Sequence, residues 1–206
     1  MREMNRKGLL LVVSGPSGCG KGTVLGEVFA RQPDTYYSVS ATTRSPRPGE
    51  VDGVQYHFLT KEEFEEKIAA GQMLEYAQYA GNYYGTPAQA VDAQLAQGKN
   101  VVLEIEVQGA KQVKLRRPDA VMIFIMPPSM KELRRRLTQR GTEAQEVVER
   151  RLETARQEMP QAKDYDYIVF NDTVEEAAQD VCAILRARHC LAGENLARLE
   201  QAVREE

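Results

Sequence analysis

The sequence predicts an α/β fold built on a parallel sheet, and three observations predict it. Compact apolar runs of strand length recur at 9–13 (LLLVV), 101–107 (VVLEIEV), 121–126 (VMIFIM) and 167–170 (YIVF). Segments of helical periodicity lie between and after them. The first run passes directly into a glycine-rich loop that opens a helix. Strands that alternate with helices form a sheet covered on both faces, and such strands read as unbroken apolar runs.

Taken in order, the first strand is marked by its length and by the β-branched pair Val12-Val13. A helix is expected at 23–31. Residues 38–88 then break the rhythm with prolines, glycines and tyrosines and read as an inserted lobe, with one helical pattern at 61–70. The core resumes with a helix at 86–96 and strands at 101–107 and 121–126. Residues 129–156 are dense in arginine and glutamate and read as a second, solvated insertion made of helices at 129–139 and 143–157. The last strand, 167–170, precedes a charged helix from 174 to about 204, with a break at Cys190-Leu191-Ala192-Gly193. The expected division is therefore core at 1–37, 89–128 and 157–206, a lobe at 38–88 and a lid at 129–156.

A chain of 206 residues with 42% hydrophobic and 28% charged residues holds one sizeable core. A net charge of -3 argues against a nucleic-acid polymer as partner. No apolar run approaches the roughly 20 residues that span a bilayer. The basic, briefly apolar N-terminus is too short for a signal peptide. Three cysteines without metal-ligand spacing suit a reducing cytoplasm. Homo-oligomerisation stays open.

The loop SGPSGCGKGT, Ser14 to Thr23, carries the most specific chemistry. Gly15-x-x-x-x-Gly20-Lys21 is the spacing of a phosphate-binding P-loop. Backbone N–H groups of Gly15, Pro16 to Gly18 (the proline lending shape only), Cys19, Gly20 and Gly22 surround nucleotide phosphates, and Lys21 reaches the β- and γ-phosphates. The residue after the lysine, where a hydroxyl would ligate Mg²⁺, is Gly22. Thr23 follows one place later, so the metal is expected to be held through water. Ser17 lies within the same loop, and Cys19 reads as a small residue facing the backbone rather than a redox switch.

A second segment, SATTRSPRPGEVDGVQYHF from Ser40 to Phe58, presents Arg44 and Arg47 on a loop stiffened by two prolines. Paired guanidinium forks on a stiff loop suit a phosphate-like anion. Glu104 and Glu106, two apart, are expected on one face of a strand near its carboxyl end, where ligands bind in open α/β sheets. Glu75, judged alone, reads as a surface helix residue. Arg136 and Arg140 share a helix face by their i, i+4 spacing.

Taken together, GPSGCGKGT, the 40–58 segment, LEYAQYAGNYYGTP (Leu74 to Pro87), LEIEVQGAKQVK (Leu103 to Lys114), RRRLTQRGTEAQEVVERRL (Arg134 to Leu152) and VFND (Val169 to Asp172) closely resemble guanylate kinase, the ATP:GMP phosphotransferase. They run in order over nearly the whole chain. The resemblance implies a P-loop NTPase core with an inserted GMP-binding lobe and a helical lid, with ATP and GMP as partners and Mg²⁺ as the cofactor of ATP. It assigns the GMP phosphate to Arg44, Arg47, Tyr56 and Tyr84, and the guanine base to Glu75, Ser40 and Thr86. It places Glu104 beside GMP, and Glu104 and Glu106 near the hydration shell of the metal. It makes Arg140 and Arg151 the lid arginines and puts Arg136 and Asn171 beside ATP. Tyr83 reads as packing, and His57 and His189 are not catalytic bases. The rival readings are a nucleoside monophosphate kinase of other base specificity and a catalytically inactive binding module of similar fold. The base set Ser40, Glu75 and Thr86 opposes the first, and Lys21 with the lid arginines opposes the second.

Overall fold

A computed structural model of the chain describes residues 7–139 and 144–204. Its centre is β1 (Leu10–Ser14), buried at every position. The strand is apolar up to its last residue, Ser14, because both of its faces are covered. Leu11 and Val13 point to one side, where they meet Val24 and Val28 of α1 (Lys21–Arg31) and Ala177 and Val181 of α7 (Val174–His189). Leu10 and Val12 point to the other, where they meet Val91 and Leu95 of α3 (Ala88–Ala96) and Ala110 and Val113 of α4 (Val107–Arg116). The period of two along the strand thus builds two cores from one segment.

Five strands form this sheet, in the order β2 (Thr35–Tyr37), β7 (Asn100–Glu104), β1, β8 (Val121–Met126), β9 (Tyr167–Phe170), and every pairing is parallel. The chain leaves β1 with neighbours yet to arrive on either side, so the sheet's order reverses there. Ligands bind at the carboxyl ends of strands flanking such a switch point.

A second, four-stranded sheet has the order β4 (His57–Phe58), β3 (Ala41–Thr42), β6 (Asn82–Pro87), β5 (Met73–Tyr79). It folds on its own core of Ala41, Phe64 and Met73. Phe64 comes from α2 (Lys61–Ala69), which Thr60 and Glu63 start with a reciprocal capping box. The Tyr83 ring stacks on Phe64 with centroids 5.2 Å apart, a packing role. A further small core joins α5 (Met130–Gln139) to α6 (Gln145–Glu158) through Leu133, Leu137, Val148 and Leu152. The outer faces of this pair carry ion pairs such as Arg134 with Glu149.

The structure corrects several expectations. The strand expected to run to Val107 stops at Glu104, and Glu106 occupies the N-cap of α4. Val107 turns instead into a cluster with Phe124 and Ala162. Thr86 belongs to β6 and not to a helix, because Pro87 after it holds it extended. The expected break in the terminal helix is present: α7 ends at His189 and α8 (Ala192–Arg204) starts after Cys190-Leu191, and α8 buries no residue.

Phe64→Ala should cost about 3–5 kcal/mol of local stability, as truncations of a buried aromatic do. The loss should appear in hydrogen exchange as faster opening of β3 and β6 amides, with β1 amides unchanged.

Candidate active site

Between β1 and α1 the chain turns through the glycine-rich loop. Gly20 is the N-cap of α1 in the left-handed region, with φ 93°. A Cβ there would also stand 2.4 Å from the Asn171 amide nitrogen. Both conformation and contact therefore require glycine. The Asn171 amide donates to the Cys19 carbonyl at 2.7 Å. Arg136 of α5 donates to the same carbonyl at 3.1 Å and to the Asn171 carbonyl at 2.8 Å. The loop is thereby fastened to the end of β9 and to the helical pair. Arg151 of α6 reaches it as well, donating to the Ser17 hydroxyl at 2.7 Å. Arg140 lies outside the described residues.

Lys21 is the first residue of α1, and its ammonium donates to the Gly15 carbonyl at 2.6 Å and the Pro16 carbonyl at 3.4 Å. The Cys19 thiol is fully buried, and burial pushes it up from its ordinary range, which leaves it inert. A cavity of about 390 Å³ lies beside the loop, lined by Gly18, Gly20, Thr23, Arg136, Asn171 and Asp172, among others. The Asn171 side-chain oxygen is buried beside it and accepts no hydrogen bond from the described residues.

A second cavity, of about 960 Å³, opens between the two sheets. Lys21 stands on its wall with Ser40, Tyr56, Glu75, Tyr84, Glu104 and Glu106. Six residues expected in a site from distant parts of the sequence thus share one space with the loop lysine. Glu75 lies on β5 and is buried, contrary to its bland reading as a surface helix residue. A register shift between Met73 and Glu75 sets it opposite Thr86. Such a bulge re-aims a side chain, and here the Thr86 hydroxyl donates to the carboxylate at 2.7 Å. Burial pushes the Glu75 carboxyl up from the usual carboxylate range, while the Thr86 hydrogen bonds oppose the shift.

Glu104 ends β7, where the Tyr37 hydroxyl donates to it at 3.5 Å. Burial first, and then the charge of Glu104, push the Tyr37 hydroxyl up to about 12. Tyr37 and Glu158, both on the cavity wall, escaped the sequence reading. The three-residue strand that carries Tyr37 is too short for periodicity to show, and Glu158 looks like one more acid on a charged helix. Burial and the neighbouring Glu106 raise the Glu158 carboxyl, and Lys21 opposes them. Glu104, Glu106 and Glu158 do not form a metal cage: no group of three or more His, Cys, Asp or Glu at ligating spacing occurs among the described residues.

Arg44 and Arg47 are not on that wall. The Arg44 guanidinium is held by Glu50 through two bonds of 2.9 Å, and it also donates to the Ser45 carbonyl at 2.7 Å. It lies over the Tyr56 ring at 5.5 Å and the Phe58 ring at 5.8 Å. Glu50 further accepts the Arg47 backbone N–H at 2.7 Å and so closes the proline-rich turn. Tyr56 and Tyr84, whose rings meet edge-to-face at 6.0 Å, connect this loop to the cavity. Neither His57 nor His189 lines either cavity, and His189 bonds Asn100 at 2.7 Å.

Comparison with known proteins matches this architecture. The family described as guanylate kinase matches residues 7–188. A guanylate kinase of Lactococcus lactis is 56% identical over 186 residues, covering 90% of this chain and 91% of that one. One of Streptococcus pneumoniae is 55% identical over 187 residues, covering 90% of each. The crystal structure of guanylate kinase from Anaplasma phagocytophilum superposes with a TM-score of 0.70 at 35% identity, over 91% of this chain and 89% of that chain. With its phosphate loop, its inserted sheet and a match that runs through both, the chain belongs to the guanylate kinase family.

Proposed function

We propose that the chain transfers the γ-phosphoryl group of ATP to GMP, giving ADP and GDP, by direct in-line attack of the GMP phosphate. One observation carries the reading: a buried carboxylate, Glu75, and the phosphate-loop ammonium of Lys21 stand on the wall of one cavity large enough for a nucleotide. Guanine offers adjacent N1–H and N2–H donors, which a carboxylate matches in parallel, and adenine offers neither. Thr86 and Ser40 add hydroxyls beside Glu75.

The residues then divide as follows. The loop from Gly15 to Thr23 holds the ATP phosphates with its N–H groups, and Lys21 serves the oxygens between the β- and γ-phosphorus atoms. Adenine rests in the smaller cavity, where its exocyclic amine donates to the unsatisfied oxygen of Asn171 beside Arg136. The GMP phosphate meets Arg44, Arg47, Tyr56 and Tyr84. Glu50 and Ser45 occupy three of the five N–H donors of Arg44. The remaining Nε and Nη2 donors form a fork for phosphate oxygens. Arg151, already at the loop, and Arg140 neutralise charge on the group in transfer. The GMP phosphate is anionic at neutral pH, so positioning and charge neutralisation suffice without a general base.

The residues fit Mg²⁺ carried by ATP and held through water. Gly22 supplies no hydroxyl, Thr23 lines the smaller cavity, and Glu104 and Glu106 face the larger one without a ligating cluster. Bound there, the ion offsets the charge of the β,γ-phosphate oxygens. Among the described residues no helix is long and apolar enough to cross a membrane. Three free thiols accord with a cytoplasmic location.

Lys21→Ala should lower kcat by roughly 10²–10³-fold while the melting temperature holds, since the lysine serves the transferring group and not the core. Near-normal turnover in a coupled assay would sink the assignment.

Glu75→Gln should raise KM for GMP and shrink a discrimination against AMP of about 10⁴, because the amide opposes its NH₂ to one guanine donor. Only the ionised carboxylate accepts both donors. Because burial raises the Glu75 pKa, wild-type KM for GMP should climb as the pH falls through a range above that of ordinary glutamates. The nucleotide phosphate itself titrates near pH ~6. That limb persists in the glutamine variant, and the difference between the two profiles isolates Glu75.

The lobe and the helical pair must both approach the phosphates, so a bisubstrate analogue joining adenosine and guanosine through a phosphate chain should compact the protein. An unchanged radius of gyration in small-angle scattering, with saturation shown by calorimetry, would remove closure from the mechanism.

A further inference from the structure

The base-reading carboxylate is seated on a helix of the core and not only on the inserted sheet. β5 is an edge strand of the second sheet, and a residue on such an edge points a backbone N–H and C=O away from the ladder. Tyr76, next to Glu75, has both groups taken by one side chain. Gln112 of α4 accepts the Tyr76 N–H at 3.3 Å and donates to the Tyr76 carbonyl at 2.9 Å. A carboxamide that meets a backbone amide in both directions fixes register as well as distance.

One turn earlier on the same helix face, Gly109 is buried against Glu75. A Cβ at 109 would stand 2.7 Å from the Glu75 Oε2 atom and 3.2 Å from its carboxyl carbon. A methyl group at 109 would therefore force the Glu75 carboxylate to move. Gly109 is the third residue of α4. The carboxylate thus lies at the first turn, where the N–H groups lack helical partners and the helix dipole favours negative charge. Against the cost of burial, its ionised form is favoured first by the hydrogen bonds of Thr86 and then by the more distant charge of Arg116.

We propose that Gly109 and Gln112 are positioning residues for guanine recognition. Gln112 stitches β5 to α4 beside the reading carboxylate, and Gly109 leaves the space that carboxylate fills. The proposal rests on the reading of Glu75 as the base-binding residue. It places the base-reading wall with the core, to which α4 is packed through Ala110 and Val113, and leaves the Arg44–Glu50 turn outside the stitch.

The test uses the full chain with GMP and IMP as acceptors. IMP keeps the N1–H donor and lacks the 2-amino group, so the GMP:IMP ratio of kcat/KM reports how well the carboxylate is aimed. Gln112→Leu removes both bonds to Tyr76. Gln112→Glu keeps the acceptor but sets a carboxylate against the Tyr76 carbonyl. Gly109→Ala fills the space that Gly109 leaves. In each variant the ratio should fall about tenfold, the order expected when a side chain is displaced by a fraction of an ångström, while KM for ATP stays within about twofold. In Gln112→Leu combined with Glu75→Gln the ratio should equal that of Glu75→Gln alone, because Gln112 acts through Glu75. An unchanged ratio in folded Gln112→Leu and Gln112→Glu overturns the proposal. So does a loss shared equally by GMP, IMP and ATP, or an additive double variant. A wild-type enzyme that does not prefer GMP to IMP, or a Glu75→Gln variant that keeps the preference, refutes the base-reading role of Glu75 itself and is distinguished on that ground.

Discussion

A loop that turns its N–H groups toward one point must send its carbonyls the other way, and each buried carbonyl needs a donor. The phosphate loop of this chain meets that constraint with side chains from three places. Lys21 takes the Gly15 and Pro16 carbonyls, while Asn171 and Arg136 share the Cys19 carbonyl. Asn171 arrives at the end of β9, and Arg136 arrives on α5. The shape of the loop therefore depends on the order of the parallel sheet and on the seating of the helical pair. The glycines follow from the same constraint. At Gly20 a Cβ would collide with the amide that holds the loop, so the fastening and the residue require each other. Arg136 has a structural share in this besides its place on the smaller cavity, and it is oriented by Glu132, whose carboxyl two arginines hold down to about 2.

How much of this was legible follows from how local each signal is. The phosphate loop is a contiguous pattern between a strand and a helix, and its spacing alone specifies its geometry. The central strands were legible because burial on both faces leaves no polar positions. Helix α4 was hidden because Val101, Leu103, Ile105 and Val107 continue a strand-like alternation past the point where the strand stops. What ends the strand is tertiary: Val107 is drawn into the cluster of Phe124 and Ala162. Thr86 was readable and was missed, since Pro87 restricts it by the same rule that holds Ser45 and Arg47 extended.

The site divides in the same way. Arg44 and Arg47 announced an anion by composition and stiffness, but the partner that holds Arg44, Glu50, lies six residues on with no periodicity to reveal it. Glu75 gave no intrinsic signal. Its burial comes from a register shift in β5 and from a glycine on a helix more than thirty residues later, neither of which a residue pattern encodes. The resemblance to a family supplied what local chemistry could not, and the structure supplies the physical reason.

The distribution of charge gives the larger cavity a direction. Among the described residues, Glu75, Glu104, Glu106 and Glu158 stand on its wall with one cation, Lys21, while Arg44 is held by Glu50 and Arg151 reaches Ser17 of the loop. A ligand with hydrogen-bond donors at one end and a phosphate at the other has one favourable orientation in such a field. Reversed, it would set a dianion against a buried carboxylate, where low dielectric magnifies the repulsion. Of these acids the buried Glu75 is the one that would act as such a polarity mark. They are tolerable because each has its own relief: the Thr86 hydroxyl for Glu75, a phenol for Glu104, exposure to solvent for Glu106, and Lys21 opposing the raised pKa of Glu158. Arg44 keeps its charge close to the cavity because Glu50 orients it through one edge of its guanidinium, with the Tyr84 hydroxyl of the cavity wall in hydrogen-bonding reach of the same side chain.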